Sequence, residues 1–152
     1  MRIDKDQIWI LLDDRAGNRS QVIGVAKCLN RPVENKNLIY SPLAKLPNII
    51  IPPTFATLNK KSQKGFVPPW PGLVIGAGRR TAPVARQIKK LSAGVTRIVQ
   101  IMDPGGTTKD FDLICIPTHD ARIKGLNVFQ INGAPHSLTP EVMNASREKW
   151  LP

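Results

Sequence analysis

Scarcity narrows this 152-residue chain before any motif does. It has two cysteines, Cys28 and Cys115, without Cys-x-x-Cys spacing. They give no disulfide framework and read as buried free thiols in apolar surroundings, which suits a reducing compartment. It has two histidines, His119 and His136, and neither a His-Glu-x-x-His motif nor a Cys/His cluster, so no metal is expected. No serine sits in a Gly-x-Ser-x-Gly elbow, which removes support for a hydrolase triad. Aromatic residues make up 5% of the chain, and Trp9, Trp70 and Trp150 are scattered outside any basic run. Nucleic acid is therefore not the expected partner, since no stacking platform accompanies the positive charge. No apolar run approaches membrane-spanning length, and the charged opening Met1-Arg2-Ile3-Asp4-Lys5-Asp6 is unlike a secretory signal. A cytoplasmic location is expected.

Acidic residues are scarce too. Twenty-two Lys and Arg stand against eleven Asp and Glu, leaving a net charge of +11. That field attracts phosphorylated small molecules or anionic lipid, and the charges are dispersed rather than run in blocks. With 41% hydrophobic residues the chain can bury an ordinary core, so residues 1–152 are expected to form one domain.

The stretch Leu73-Val74-Ile75-Gly76-Ala77-Gly78-Arg79-Arg80-Thr81-Ala82-Pro83-Val84 reads as a buried strand, a glycine turn and the start of a helix. Thr81 is placed to cap that helix, Pro83 fits its first turn, and Val84, Ala85, Ile88 and Leu91 form its apolar face. Helix N-termini offer unpaired N–H groups and a partial positive charge, and Arg79 and Arg80 add two full ones. The pattern predicts an anion, phosphate or carboxylate, near Gly78–Thr81.

Ile8-Trp9-Ile10-Leu11-Leu12 is the predicted first strand, followed by Asp13-Asp14-Arg15-Ala16-Gly17-Asn18-Arg19-Ser20-Gln21. Asn18 and Gln21 resemble a capping box before Val22, Val25, Ala26 and Leu29. Adjacent carboxylates in such a loop make Asp14 the candidate catalytic group; alternatively Asp13 and Asp14 pair with Arg15 or Arg19 and order the loop. A second strand is expected over residues 37–40. Between Ser41 and Gly65, four prolines forbid one continuous helix, while Leu43, Leu46, Ile49, Ile50, Ile51, Phe55 and Leu58 keep the segment apolar. Short helices packed on the core are the ordinary reading. The other is a face touching a membrane or a partner, supported by Lys60, Lys61 and Lys64. Pro68-Pro69-Trp70-Pro71 reads as a stiff lead into the central strand.

Further strands are expected over residues 96–101, 112–117 and 127–131, and Thr139 is placed to cap a last helix with Pro140 at its first position. The expected fold is α/β: a doubly wound, Rossmann-like parallel sheet of about six strands, with residues 8–12 and 73–75 adjacent at its centre. The loops holding Asp14, Arg79, Asp103, His119 and His136 then leave the same edge. An NAD(P)-binding domain is a rival, with Gly76-x-Gly78 opening a helix and Asp103 at the next strand's end. Thr81 replaces the last glycine of that motif, and the two arginines crowd the turn.

Three segments together resemble a known family: residues 13–21, residues 76–85, and Gly133-Ala134-Pro135-His136. They are similar to the mitochondrial-fission "elongated mitochondria" family, whose bacterial members are often labelled predicted nucleoside-diphosphate-sugar epimerases. The likeness runs from Gln7 to Trp150. It implies a fold like the N-terminal domain of GT-B glycosyltransferases and epimerases, where two Rossmann-like domains face each other across a cleft. It places the Gly17 and Gly78 loops at that cleft; together with the loops that leave the same sheet edge, the candidate ligand contacts are Asp13, Asp14, Arg15, Gly17, Asn18, Gly78, Arg79, Arg80, Thr81, Asp103, Gly133 and His136. By the same resemblance, the ligand is a phosphorylated, glycan or lipid-linked small molecule. This domain needs no cofactor of its own, and the complete protein would use a sugar nucleotide. Family members are about twice this length, so a C-terminal nucleotide-sugar domain is expected to be missing and activity alone absent. Plant members are associated with recruiting fission machinery to organelles. That implies an alternative, a membrane-peripheral interaction module working through residues 43–58.

Overall fold

The computed structural model describes residues 2–150 apart from Ala121, Ser137 and Thr139. Six strands form one parallel sheet in the order β2-β1-β3-β4-β5-β6. They are β1 (Ile3–Leu12), β2 (Val33–Asn37), β3 (Trp70–Ala77), β4 (Arg97–Ile101), β5 (Leu113–Pro117) and β6 (Val128–Ile131). The α-helices are α1 (Ala16–Lys27), α2 (Lys60–Gln63), α3 (Ala82–Leu91) and α4 (Pro140–Trp150). The fold is the expected α/β, Rossmann-like one.

Alternation along β1 explains how one strand serves two cores. Trp9 and Leu11 enter a cluster with Leu38, Phe66, Trp70 and the α3 residues Val84, Ala85 and Ile88. Ile8, Ile10 and Leu12 enter another, with Val22 and Ala26 of α1. A strand covered on both faces has no polar side, hence the continuous apolar run. From the β1/β3 seam, β1–α1–β2 moves one way and β3–α3–β4 the other. Right-handed crossovers then put α1 and α3 on opposite faces. The seam is the sheet's topological switch point, and both adjoining strands lie inside the sheet, as expected of residues 8–12 and 73–75.

Several elements differ from expectation. The second strand is Val33–Asn37, ahead of the 37–40 run. It is an edge strand with half-exposed polar residues, so it carries no apolar run. Leu38 N–H still donates to Leu12 C=O at 3.0 Å, while Ile39 is exposed and Tyr40 makes an isolated antiparallel bridge to Leu58. β1 begins at Ile3, because its charged half pairs with Trp70 and Pro71 across a bulge. There a Cβ on Gly72 would lie 2.2 Å from Lys5 C=O, so only glycine fits. Trp70 and Pro71 thus belong to β3 rather than to a lead segment.

The predicted capping groups are used elsewhere. Arg15 occupies the N-cap of α1, and Asn18, inside the first turn, donates from Nδ2 to Asp13 Oδ2 at 2.7 Å. Thr81 closes a 3-10 turn (Arg79–Thr81) and stands at the N-cap position of α3 as expected, but its hydroxyl donates back to Gly78 C=O at 2.9 Å and makes no side-chain cap bond to the helix. Thr139 lies outside the described residues. Segment 41–65 contains a 3-10 turn (Pro42–Lys45) and α2 and buries Ala44, Ile51 and Leu58, as short packed helices should. Among the described residues, the connections from β4 to β5 and from β5 to β6 carry no α-helix, only turns and a short 3-10 segment (Thr118–Asp120). Cys28 is exposed, against the expectation of burial; Cys115 is half-buried, and burial pushes its thiol pKa up.

Candidate functional site

The polar loops after β1 and β3 meet at the switch point. Asp13, 1% exposed, follows β1 directly; Asp14 beside it is 58% exposed at its side chain. Neither acid pairs with Arg15 or Arg19. Both are held by Arg80, from the loop after β3: Nη2 donates to Asp13 Oδ1 at 2.6 Å, and Nη1 to Asp14 Oδ2 at 3.2 Å, with a further bond from Nη2 to Asp14 Oδ1. The planar fork of arginine suits two adjacent carboxylates. Its guanidinium also lies 4.4 Å from the Tyr40 ring centroid, in cation–π geometry. Asp13 additionally accepts from Asn18 Nδ2 and, at 3.3 Å, from the backbone N–H of Arg15. This cluster ties the start of α1 to the turn before α3.

The two acids are held in different states. Burial, then the hydrogen bond with Asp14, raises the Asp13 pKa above the ordinary aspartate value. Hydrogen bonding to Asp13, then to Arg80, lowers that of Asp14. The buried member keeps its proton longer, and the exposed one is the stronger acid. Burial and the neighbouring Asp13 charge also push Tyr40 up, so it stays a neutral phenol; its hydroxyl has no hydrogen-bond partner among the described residues.

Beside the cluster is an open groove of about 350 Å³. The start of α1 contributes Arg15 and Asn18, and the β3 turn contributes Gly78 and Arg79. Met102 and Asp103 follow β4, and Asp120 and Arg122 follow β5. Asp103 Oδ1 accepts from the N–H of Gly105 at 2.7 Å, which fixes its turn. Met102 has φ +70°, a left-handed backbone that costs a non-glycine residue about 1–2 kcal/mol. Gly78 has φ +73°, and a Cβ there would lie 2.4 Å from Asn18 Nδ2. The groove's floor therefore depends on glycine.

Thus Arg15, Asn18, Gly78, Arg79 and Asp103 share a groove, and Asp13, Asp14 and Arg80 form the cluster beside it. Arg79 is engaged as well, its Nη1 donating to Leu46 C=O at 2.9 Å. Thr81 is buried under the turn, and Gly17 lies in α1 with open space where a Cβ would point. Gly133, His136 and His119 are exposed and are not among the groove's walls, although Asp120, next to His119, is. Among the described residues no group of three or more His, Cys, Asp or Glu side chains could hold a metal ion.

Sequence reading passed over three supports of this site. Gln100 is fully buried in β4 and donates from Nε2 to Gly78 C=O at 2.9 Å. Asn48 donates from Nδ2 to Pro104 C=O at 2.6 Å and also to Arg79 C=O. Tyr40 stacks under Arg80. A glutamine inside an apolar strand is a legible signal, because a buried amide needs partners. Asn48 and Tyr40 carried no local mark.

No solved structure matches the chain. Uncharacterized protein RP120 of Rickettsia prowazekii (strain Madrid E) is 36% identical over 116 residues, which is 76% of this chain and 32% of that protein. The chain spans about a third of the length of this curated relative. The family described as "Mitochondrial fission ELM1" matches residues 16–152, from the first residue of α1 through the loops that build the groove. The acid loop lies just before that match, and the glycine turn and the last helix lie within it: the chain belongs to the mitochondrial fission ELM1 family.

Proposed function

We propose that this chain is the N-terminal, acceptor-side domain of a GT-B-like, sugar-nucleotide-dependent enzyme, a glycosyltransferase or an epimerase. Its groove takes a phosphorylated or glycan-bearing small molecule. The observation that carries this reading is a polar groove beside an exposed, ionised carboxylate at the switch point of a parallel sheet, where such sheets bind ligands.

The roles divide by what is already engaged. Arg80 serves the two acids, and Arg79 is turned toward carbonyls of the 42–48 segment. The side chains of Arg15 and Arg122 make no hydrogen bond or ion pair among the described residues, so they, with the N-terminus of α1, meet the ligand's negative charge. Asp14 accepts the proton of an acceptor hydroxyl. Asp13 and Arg80 fix its position and hold it ionised. The sugar nucleotide belongs to a second domain, which has to position the donor before transfer can occur.

Amide-shift titration with inorganic phosphate, sulfate and a sugar nucleotide tests the site. Shifts centred on Arg15, Gly78 and Asp103, weakened by salt and lost in Arg15→Ala/Arg122→Ala, are the expected result. No sugar transfer or epimerisation by this chain alone is expected. Silence of those amides would remove the groove from the reading. Turnover of a sugar nucleotide by the purified chain, abolished by Asp14→Asn, would replace it with a one-domain enzyme.

A further inference from the structure

We propose that the turn carrying Ile49 and Ile50 is a membrane-docking tip that inserts into an anionic lipid surface. The surface is distinct from the groove and does not depend on what the groove binds. Ile49 is 81% exposed and Ile50 64%, adjacent at the tip of an irregular segment, with Leu43 and Leu46 of the same segment also exposed. One exposed aliphatic residue is unremarkable; several in one short segment form a patch that water disfavours.

The turn is also built to hold its shape. Asn48, within it, is buried and hooks the carbonyls of Arg79 and Pro104. Arg79 Nη1 holds Leu46 C=O at 2.9 Å, and Arg86 Nη1 holds Ile51 C=O at 3.2 Å. Inside the turn, the N–H of Ile50 reaches Pro47 C=O and that of Ile51 reaches Asn48 C=O. The isoleucines are thus presented on a fixed support, and docking need not pay to order the segment.

Charge complementarity selects the partner. The hollow bordered by Ile49, Ile50 and Ile51 is also lined by Pro53 and Arg86. Those same two residues line the neighbouring hollow, together with Lys89, Lys90 and Lys109. Arg86 pairs with Asp110 and Lys89 with Asp112, leaving Lys90 and Lys109 without an ion pair among the described residues. An apolar tip next to a cationic shoulder matches acyl chains beneath acidic headgroups. The sequence had pointed instead to Lys60, Lys61 and Lys64. Lys61 lies against a different hollow, with Lys36 and Phe66 on the β2 side.

Flotation with vesicles of phosphatidylcholine, with and without phosphatidylglycerol, tests this. The protein should float with the anionic vesicles and much less with the neutral ones. Ile49→Ser/Ile50→Ser should weaken partitioning at least about tenfold, given two lost aliphatic side chains. Lys90→Glu/Lys109→Glu should weaken it too, and the dependence of what binding remains on salt and on phosphatidylglycerol content should be smaller than in the wild type. An unchanged thermal melt would show that both variants fold. In Ile50→Trp, added emission should shift blue on binding and be quenched by brominated acyl chains. Failure of the wild type to float, or equal flotation of Ile49→Ser/Ile50→Ser, overturns the proposal. A solution dimer lost in Ile49→Ser/Ile50→Ser, without vesicle binding, overturns it in favour of a second copy on this face.

Discussion

Arg80→Ala removes the cation that serves both acids, and its cost can be worked from the geometry. Asp14 is largely exposed, so its share is that of a surface pair, about 0–1 kcal/mol. Asp13 is buried and loses a charged hydrogen bond at 2.6 Å, about 1.5–3 kcal/mol. The expected loss at neutral pH is about 1.5–4 kcal/mol, and for a chain of this size each kcal/mol lowers Tm by about 2–4 °C. The pH dependence gives the sharper test. Asp13 already has a raised pKa, so the folded state binds its proton more readily than the unfolded chain, and its ionisation destabilises as pH rises. Without Arg80 that ionisation costs more. Asp14, whose pKa is lowered, contributes stability above the ordinary aspartate range and loses it as pH falls, so its share of the deficit also fades in acid. Chemical denaturation of wild type and Arg80→Ala at neutral pH and below the usual aspartate range should give a deficit that shrinks in acid. A deficit under about 1 kcal/mol that ignores pH would refute the argument that a buried acid depends on this arginine.

Gly78→Ala places a Cβ in left-handed backbone and against Asn18, so it should cost more than the roughly 1–2 kcal/mol of the backbone alone. Thermal melts should show the loss, and amide spectra should place the disturbance at Asn18 and Asp13. Cys28, exposed, should react with a thiol reagent well before Cys115, which is half-buried with a raised pKa; equal rates in the folded protein would contradict the placement of β5.

Strands buried on both faces announced themselves: Ile8–Leu12 and the core of β3 are uninterrupted apolar runs and lie side by side in the sheet. The edge strand Val33–Asn37 did not, since its residues have no buried face to mark them. The cap was misplaced at Asn18, and at Thr81 the position was right but not the hydroxyl's use, because local spacing cannot show that Asp13 or the Gly78 carbonyl competes for the same side chain. The loops of the candidate site were legible from glycine and charge, but their wiring was not. Asp13 and Arg80 are brought together only by the pairing of β1 with β3, and sequence offered the nearer Arg15 and Arg19 as partners instead.

The β1/β3 pairing also orders events during synthesis. Ile8 is paired with Leu73, about 65 residues later in the chain. At roughly 5–20 residues per second, β1 is made, and emerges, some 3–13 seconds before β3 does the same. Through that interval Ile8-Trp9-Ile10-Leu11-Leu12 has no strand on one side, and it is a short, uncharged, β-prone run of the kind that recruits other chains. The charged Asp4-Lys5-Asp6 immediately upstream is where a gatekeeper against such recruitment belongs. The early half of β1, which adds little apolar surface to the core, is thus placed to shield the later half until its partner arrives.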